Sequence, residues 1–213
     1  MSTLRDIEYI CPFCKEKFNF LTQCSYYISG QFLDYKPFGA AEIPNPIPKC
    51  PKCSFVFFDN MFTNEEINKI KISLSNNNIF ILEPEMPNYY YLAKIFELLD
   101  KDTETIIYYY HSAIWESNNK LFKNIANIIL KYFENIEKEN KNYYIYKFIK
   151  IDFLRRLSRF DEAEELVYDL MFDEEDFPGK YSNVLDYQLE LIQNEDIDEH
   201  EMPEEEEKEH EDN

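Results

Sequence analysis

Four cysteines in two matched pairs constrain this chain more than any other feature. They are Cys11-Pro12-Phe13-Cys14 and Cys50-Pro51-Lys52-Cys53. Two thiols separated by two residues sit on one tight turn and can face the same ion. Two such turns then close a tetrahedron of sulfur, the geometry of structural zinc. A site made of four thiolates leaves no open coordination position, so one structural Zn2+ held by Cys11, Cys14, Cys50 and Cys53 is the expected cofactor. Rubredoxin-like iron, redox dithiols and disulfides are the competing readings of the same residues. No basic segment followed by an apolar run opens the chain, so no secretory signal is expected. Paired cysteines without one fit a reducing, cytoplasmic setting and a metal better than disulfides.

Around the pairs, residues 1–62 read as a small β zinc-ribbon module. Ile7–Ile10 is a short strand entering the first pair. Phe18, Phe20, Thr22, Cys24 and Tyr26 alternate as a second strand does, and Phe55–Phe58 form a third after the second pair. Cys24, on that apolar face, is expected to be a small buried hydrophobe, with a reactive thiol or fifth ligand as the alternative. Between Asp34 and Lys49 stand Pro37, Pro44, Pro46 and Pro48 with Gly39. That spacing predicts a long irregular loop.

Residues 63–194 carry helical periodicity. Thr63-Asn64-Glu65-Glu66 is a capping box opening a helix that Asn76–Asn78 end. Apolar residues then recur at helical spacing from Asn88, after the caps Asp102 and Asn118, from Tyr143, after Asp161-Glu162-Ala163-Glu164, which resembles a second capping box, and after Pro178-Gly179. The count is about seven helices with short links, as antiparallel neighbours have. Leu154–Ala163 resembles the inter-helix turn of a tetratricopeptide repeat, with Ala163, Val167 and Leu170 at the packing positions and Ser158 where that repeat has Gly. The predicted fold is therefore mostly α, antiparallel TPR-like hairpins behind the ribbon. From residue 195 to 213 there are twelve acids and one Lys, and this stretch is expected to be a disordered acidic tail.

The charge is −20 at pH 7, which disfavours phosphate backbones. No apolar run is long enough to span a membrane. No Gly-rich phosphate loop, HExxH or GxSxG appears, so an enzyme is not indicated. What remains is a protein or peptide partner held by the helical scaffold. Tyr110, Lys147, Arg155 and Arg156 are the candidate contacts, from a tyrosine-rich groove and a basic cluster that could grip an acidic partner. The alternatives are a nucleic-acid-binding ribbon, a redox or zinc sensor using Cys24, and an enzyme of unrecognised type.

The two cysteine pairs, the Leu154–Glu164 turn and Tyr187-Gln188-Leu189-Glu190-Leu191-Ile192 together resemble the bacterial domain-of-unknown-function 2225 family. That resemblance implies a CPxC zinc module followed by a tetratricopeptide-like body, and it carries no activity. The family has Gly after the second Cys of each pair, where this chain has Lys15 and Ser54. A left-handed backbone there costs a residue with a Cβ about 1 kcal/mol.

Overall fold

The computed structural model describes residues 4–25, 27–39, 46–76, 86–172 and 181–203. Its elements are β1 (Leu4–Ile10), β2 (Lys17–Gln23), β3 (Ile28–Gln31), β4 (Pro37–Gly39), α1 (Asn64–Asn76), α2 (Asn88–Leu98), α3 (Thr103–Trp115), α4 (Asn119–Phe133), α5 (Tyr143–Arg156), α6 (Phe160–Met171) and α7 (Ser182–Gln193). Seven helices and two small two-stranded sheets make the protein mostly α among the described residues. The chain divides into two compact units, residues 1–28 with 39–132, and residues 29–38 with 133–213.

In the first unit, β1 and β2 pair antiparallel in the register Leu4↔Gln23 to Ile10↔Lys17. The alternation read from sequence is realised: Tyr9, Phe18 and Phe20 share one face, Tyr9 and Phe18 meeting Phe57 at 6.0 and 6.1 Å between ring centres and Phe20 meeting Tyr9 at 6.3 Å. β2 stops at Gln23, so Cys24 lies beyond it and is exposed, not buried as its place in the alternation implied. Tyr26 falls outside the described residues. The strand expected over Phe55–Phe58 reduces to one antiparallel bridge, Lys49↔Val56.

Sequence caps govern the helix starts. Thr63 and Glu66 form the reciprocal capping box, Glu66 accepting from the Thr63 N–H at 2.8 Å and Thr63 Oγ1 from the Glu66 N–H at 3.2 Å. Asp102 accepts from the Thr105 N–H at 2.8 Å, and Asn118 from the Leu121 N–H at 3.1 Å. At α2 no side chain of the preceding residues caps. Instead Glu116, just past α3, accepts from the backbone N–H groups of Asn88 and Tyr89, and burial nevertheless pushes its carboxyl up to about 7. The expected box at Asp161–Glu164 is not one. α6 begins earlier, at Phe160, and Glu162 instead pairs with Arg159.

Three helices end alike. Asp100, Ser158 and Glu195 have φ of 54°, 61° and 52°. Each donates its N–H three residues back, and the next residue donates five back, as in Arg159 N–H to Leu154 O at 2.9 Å. These are Schellman ends built without glycine, where a Cβ resists the left-handed backbone.

In the second unit α5, α6 and α7 pack together, and α5 is buried from several sides through Phe148, Ile149, Ile151, Phe153 and Leu154. Ala163 and Val167 are fully buried. Residues 29–38 belong to this unit. Within them Pro37 opens β4, which corrects the reading of that stretch as loop throughout; proline is tolerated because both strands of a two-stranded sheet are edges. At Gly30 a Cβ would stand 2.5 Å from the tip of the Phe38 ring, so a larger residue requires that ring to shift. Residues 40–45 lie outside the described set.

Residues 195–203 correct a further expectation. They are not a disordered tail but an ordered strap on the second unit. The Leu33 N–H donates to the His200 carbonyl at 2.9 Å and the Met202 N–H to the Gln31 carbonyl at 2.8 Å. The run Glu204–Glu207 lies outside the described residues.

Candidate metal centre

Both cysteine pairs fold into the same turn. Cys11 donates its N–H to the Glu16 carbonyl at 2.8 Å, and Lys15 donates back to the Cys11 carbonyl at 2.9 Å. Cys50 donates to Phe55 at 2.9 Å, and Ser54 donates back to Cys50 at 2.8 Å. The turn closes only if the residue after the second cysteine is left-handed: φ is 64° at Lys15 and 59° at Ser54.

The turns bring the thiols together. All four Sγ atoms lie within 4.8 Å of one another. Cys11 to Cys53 is 3.6 Å and Cys14 to Cys50 is 3.5 Å, so the closest approaches run between pairs. A zinc ion with four sulfurs at about 2.3 Å spaces them about 3.8 Å apart, and the cluster fits that tetrahedron. Backbone N–H groups point at the sulfurs, from Phe13 and Cys14 to Cys11, from Glu16 to Cys14, and from Phe55 to Cys53. Such donors offset the negative charge that four thiolates leave around a dication.

Without a metal the thiols compete for one charge. Burial pushes Cys11 and Cys53 up. At Cys14 burial also works upward, but the Glu16 N–H and the neighbouring thiols outweigh it and bring the group down to about 7. A dication would displace the remaining thiol protons and be held more tightly as pH rises. All five cysteines are free thiols. Cys24 is not part of the cluster.

Aromatic rings tie this centre into the first unit. Phe13 stacks on Phe55 at 5.3 Å, Phe55 meets Phe62 at 5.7 Å, Phe62 meets Phe96 of α2 at 5.7 Å, and Phe96 stacks on Tyr109 of α3 at 4.7 Å. Lys52 pairs with Glu16 at 3.1 Å across the two turns.

The expected partner contacts fare differently. Tyr110 is fully buried, and it donates its hydroxyl to Glu97 Oε1 at 2.7 Å. Tyr132 donates to the same oxygen at 2.6 Å, while Lys94 takes Oε2 at 2.9 Å. Burial opposes the Glu97 charge, but these bonds outweigh it and hold the carboxyl below its usual range. Arg155 is also fully buried. Tyr110 offers no surface to a partner, because its hydroxyl is spent on Glu97; the Arg155 guanidinium is spent within its own unit on Asp152 and on residues 196 and 198. Arg156 is nearly buried, 3.4 Å from Asp34 and 3.3 Å from Asp152. Lys147 remains at the surface, its ammonium 5.0 Å from the Tyr143 ring centroid. Among neighbouring tyrosines, Tyr89 and Tyr91 are buried, whereas Tyr108 is exposed.

The basic cluster therefore has an acidic partner within the chain. Asp152 and Asp34, both 1% exposed, lie opposite Arg155 and Arg156. Asp152 could have been found from its place three and four residues before the arginines, one helix turn away. Asp34 could not, because only folding brings residues 29–38 to this unit. Burial and the nearby Asp152 charge push the Asp34 carboxyl up to about 7.

The fold and the site define a mostly helical protein with four cysteines clustered at the spacing a metal ion needs. Comparison with protein-family models, with curated proteins and with solved structures finds no match to this chain. No helix among the described residues is long and apolar enough to cross a membrane.

Proposed function

We propose that this chain is a cytoplasmic protein-interaction protein whose N-terminal fold is locked by one structural zinc ion. The observation that carries it is the convergence of Cys11, Cys14, Cys50 and Cys53 within 4.8 Å. Bound there, zinc would cross-link two turns distant in sequence and supply no reactive position, since all four ligands come from the protein. The same residues would take iron, but four-sulfur sites outside redox chains are most simply zinc. The TPR-like character of the α5–α6 hairpin rests on Ala163, Val167, Leu170 and the left-handed Ser158. Together with the cysteine pairs it supports kinship with the domain-of-unknown-function 2225 family. Packed α-hairpins of this kind recognise protein segments, and the acidic chain discourages nucleic acid.

Elemental analysis of purified protein should find one zinc per chain, and Cys11→Ser or Cys50→Ser should release it. Apparent binding free energy of about 10–16 kcal/mol makes chelation unfold the module. Absent metal, or a strong visible iron–thiolate spectrum, would sink the zinc reading. The interaction role is tested by cross-linking the full chain in a cell extract, with Lys147→Glu as the comparison. A discrete protein partner supports it, whereas recovery of RNA or DNA alone overturns it.

A further inference from the structure

The strap over residues 196–202 is held in an unusual way. None of its side chains is buried, and Ile197 is 48% exposed. Apolar burial therefore contributes little to its docking. Its grip is main-chain and ionic. Leu33 and Gln31 pair with it as a neighbouring strand would, with Phe32 and Glu201 bridged antiparallel. The buried Arg155 guanidinium donates to the carbonyls of Asp196 at 2.6 Å and Asp198 at 2.9 Å. The Asp196 carboxylate stands 3.6 Å from Arg155, and Glu199 stands 3.5 Å from Lys36 and 3.8 Å from Arg156. His200 meets Asp196 at 3.1 Å and Tyr187 at 3.3 Å.

These are the contacts by which proteins add an extended peptide to a sheet edge. We infer that residues 196–202 fill, in cis, a clamp for an extended acidic peptide, and that a partner segment with two acids three residues apart replaces them. The inference rests on the interaction role proposed above and names its partner chemistry. Departure of the strap releases the partly exposed Lys36 from Glu199 to water but leaves each arginine with an acid. Arg155 keeps Asp152 at 2.6 Å, and Arg156 keeps Asp34 and Asp152. The clamp can therefore stand open, whereas a strap whose loss stranded a buried guanidinium could not be exchanged. A tethered strap competes at high effective concentration, so the closed chain masks the site.

The test uses the full chain and a fluorescent peptide with the sequence of residues 194–203, followed by anisotropy. Glu199→Lys with Met202→Pro removes the acid facing Lys36 and Arg156 and the amide donated to Gln31. This variant should bind the peptide at least tenfold more tightly than the unaltered chain. Affinity should fall with added salt, and adding Arg156→Glu should abolish it. Hydrogen exchange supplies a second reading: the Leu33 amide should lose protection in the variant and regain it with peptide. Three results overturn the inference: a folded, opened variant that binds no peptide, a Leu33 amide that stays protected, or a variant that unfolds, which makes the strap part of the core. If the peptide fails while the cross-linked partner survives Arg156→Glu, the clamp is wrong and the wider interaction role stands.

Discussion

Replacing Ser158 by Gly should stabilise the protein, and the size of the effect follows from the turn it occupies. Ser158 closes α5 with φ at 61°. Its N–H donates to the Arg155 carbonyl and the Arg159 N–H to the Leu154 carbonyl, both at 2.9 Å. The side chain is exposed, so the substitution acts through the backbone. Left-handed geometry costs a residue with a Cβ about 1–2 kcal/mol. Glycine relieves that, but it loosens the unfolded chain by about 0.4–1 kcal/mol. The net gain is about 0.5–1 kcal/mol, which at roughly 2–4 °C of Tm per kcal/mol for a chain of this size is about 1–4 °C. Urea unfolding followed by helix circular dichroism, at saturating zinc, should show a higher midpoint at unchanged slope. Ser158→Ala is the control and should leave the midpoint near that of the parent. If Gly proves no better than Ala, the left-handed turn carries no strain, and the same argument falls for Lys15 and Ser54.

Other outcomes follow from the buried polar groups. Glu116 ionises near 7 in the folded protein, above its ordinary 4.5. The folded state thus holds a proton that the unfolded state has already lost, so this group's stabilising contribution is present below pH 4.5 and is lost as pH rises through 7. Glu116→Gln should flatten that slope in zinc-saturated thermal melts, and parallel curves for parent and variant would refute the assignment. Tyr110→Phe and Tyr132→Phe should each cost about 1–2 kcal/mol, since each removes a hydrogen bond to a partly exposed carboxylate. The double variant should deviate from the sum because both hydroxyls serve one oxygen, Glu97 Oε1. A fully additive cycle in chemical denaturation would argue against the shared acceptor.

The metal centre was legible because its constraint is local. A Cys-Pro-x-Cys turn presents two thiols whatever the rest of the chain does, and two turns have one economical way to satisfy an ion. The helix starts at Thr63, Asp102 and Asn118 were legible for the same reason, since a cap is a contact across three residues. Strand ends and the α6 start were not legible, because alternation runs on past the residue where pairing stops and a cap-like run can lie inside the first turn of a helix. The basic cluster was misjudged more deeply. Arg155 and Arg156 at a helix end look like a surface for a partner until the acids that face them are located, and those acids come from residues 34, 152, 196 and 199.

The chain by itself settled which residues can bind a metal, where helices begin, and which faces are apolar, because each of these depends on neighbours within one or two turns. Tertiary structure alone decided which charges are spent internally. Tyr110 and Arg155 were taken from the surface by Glu97, Asp152 and the strap, and residues 29–38 were drawn from between the cysteine pairs into the unit of α5–α7. A buried charge must find its opposite wherever the fold brings it, and no spacing in the sequence records that distance.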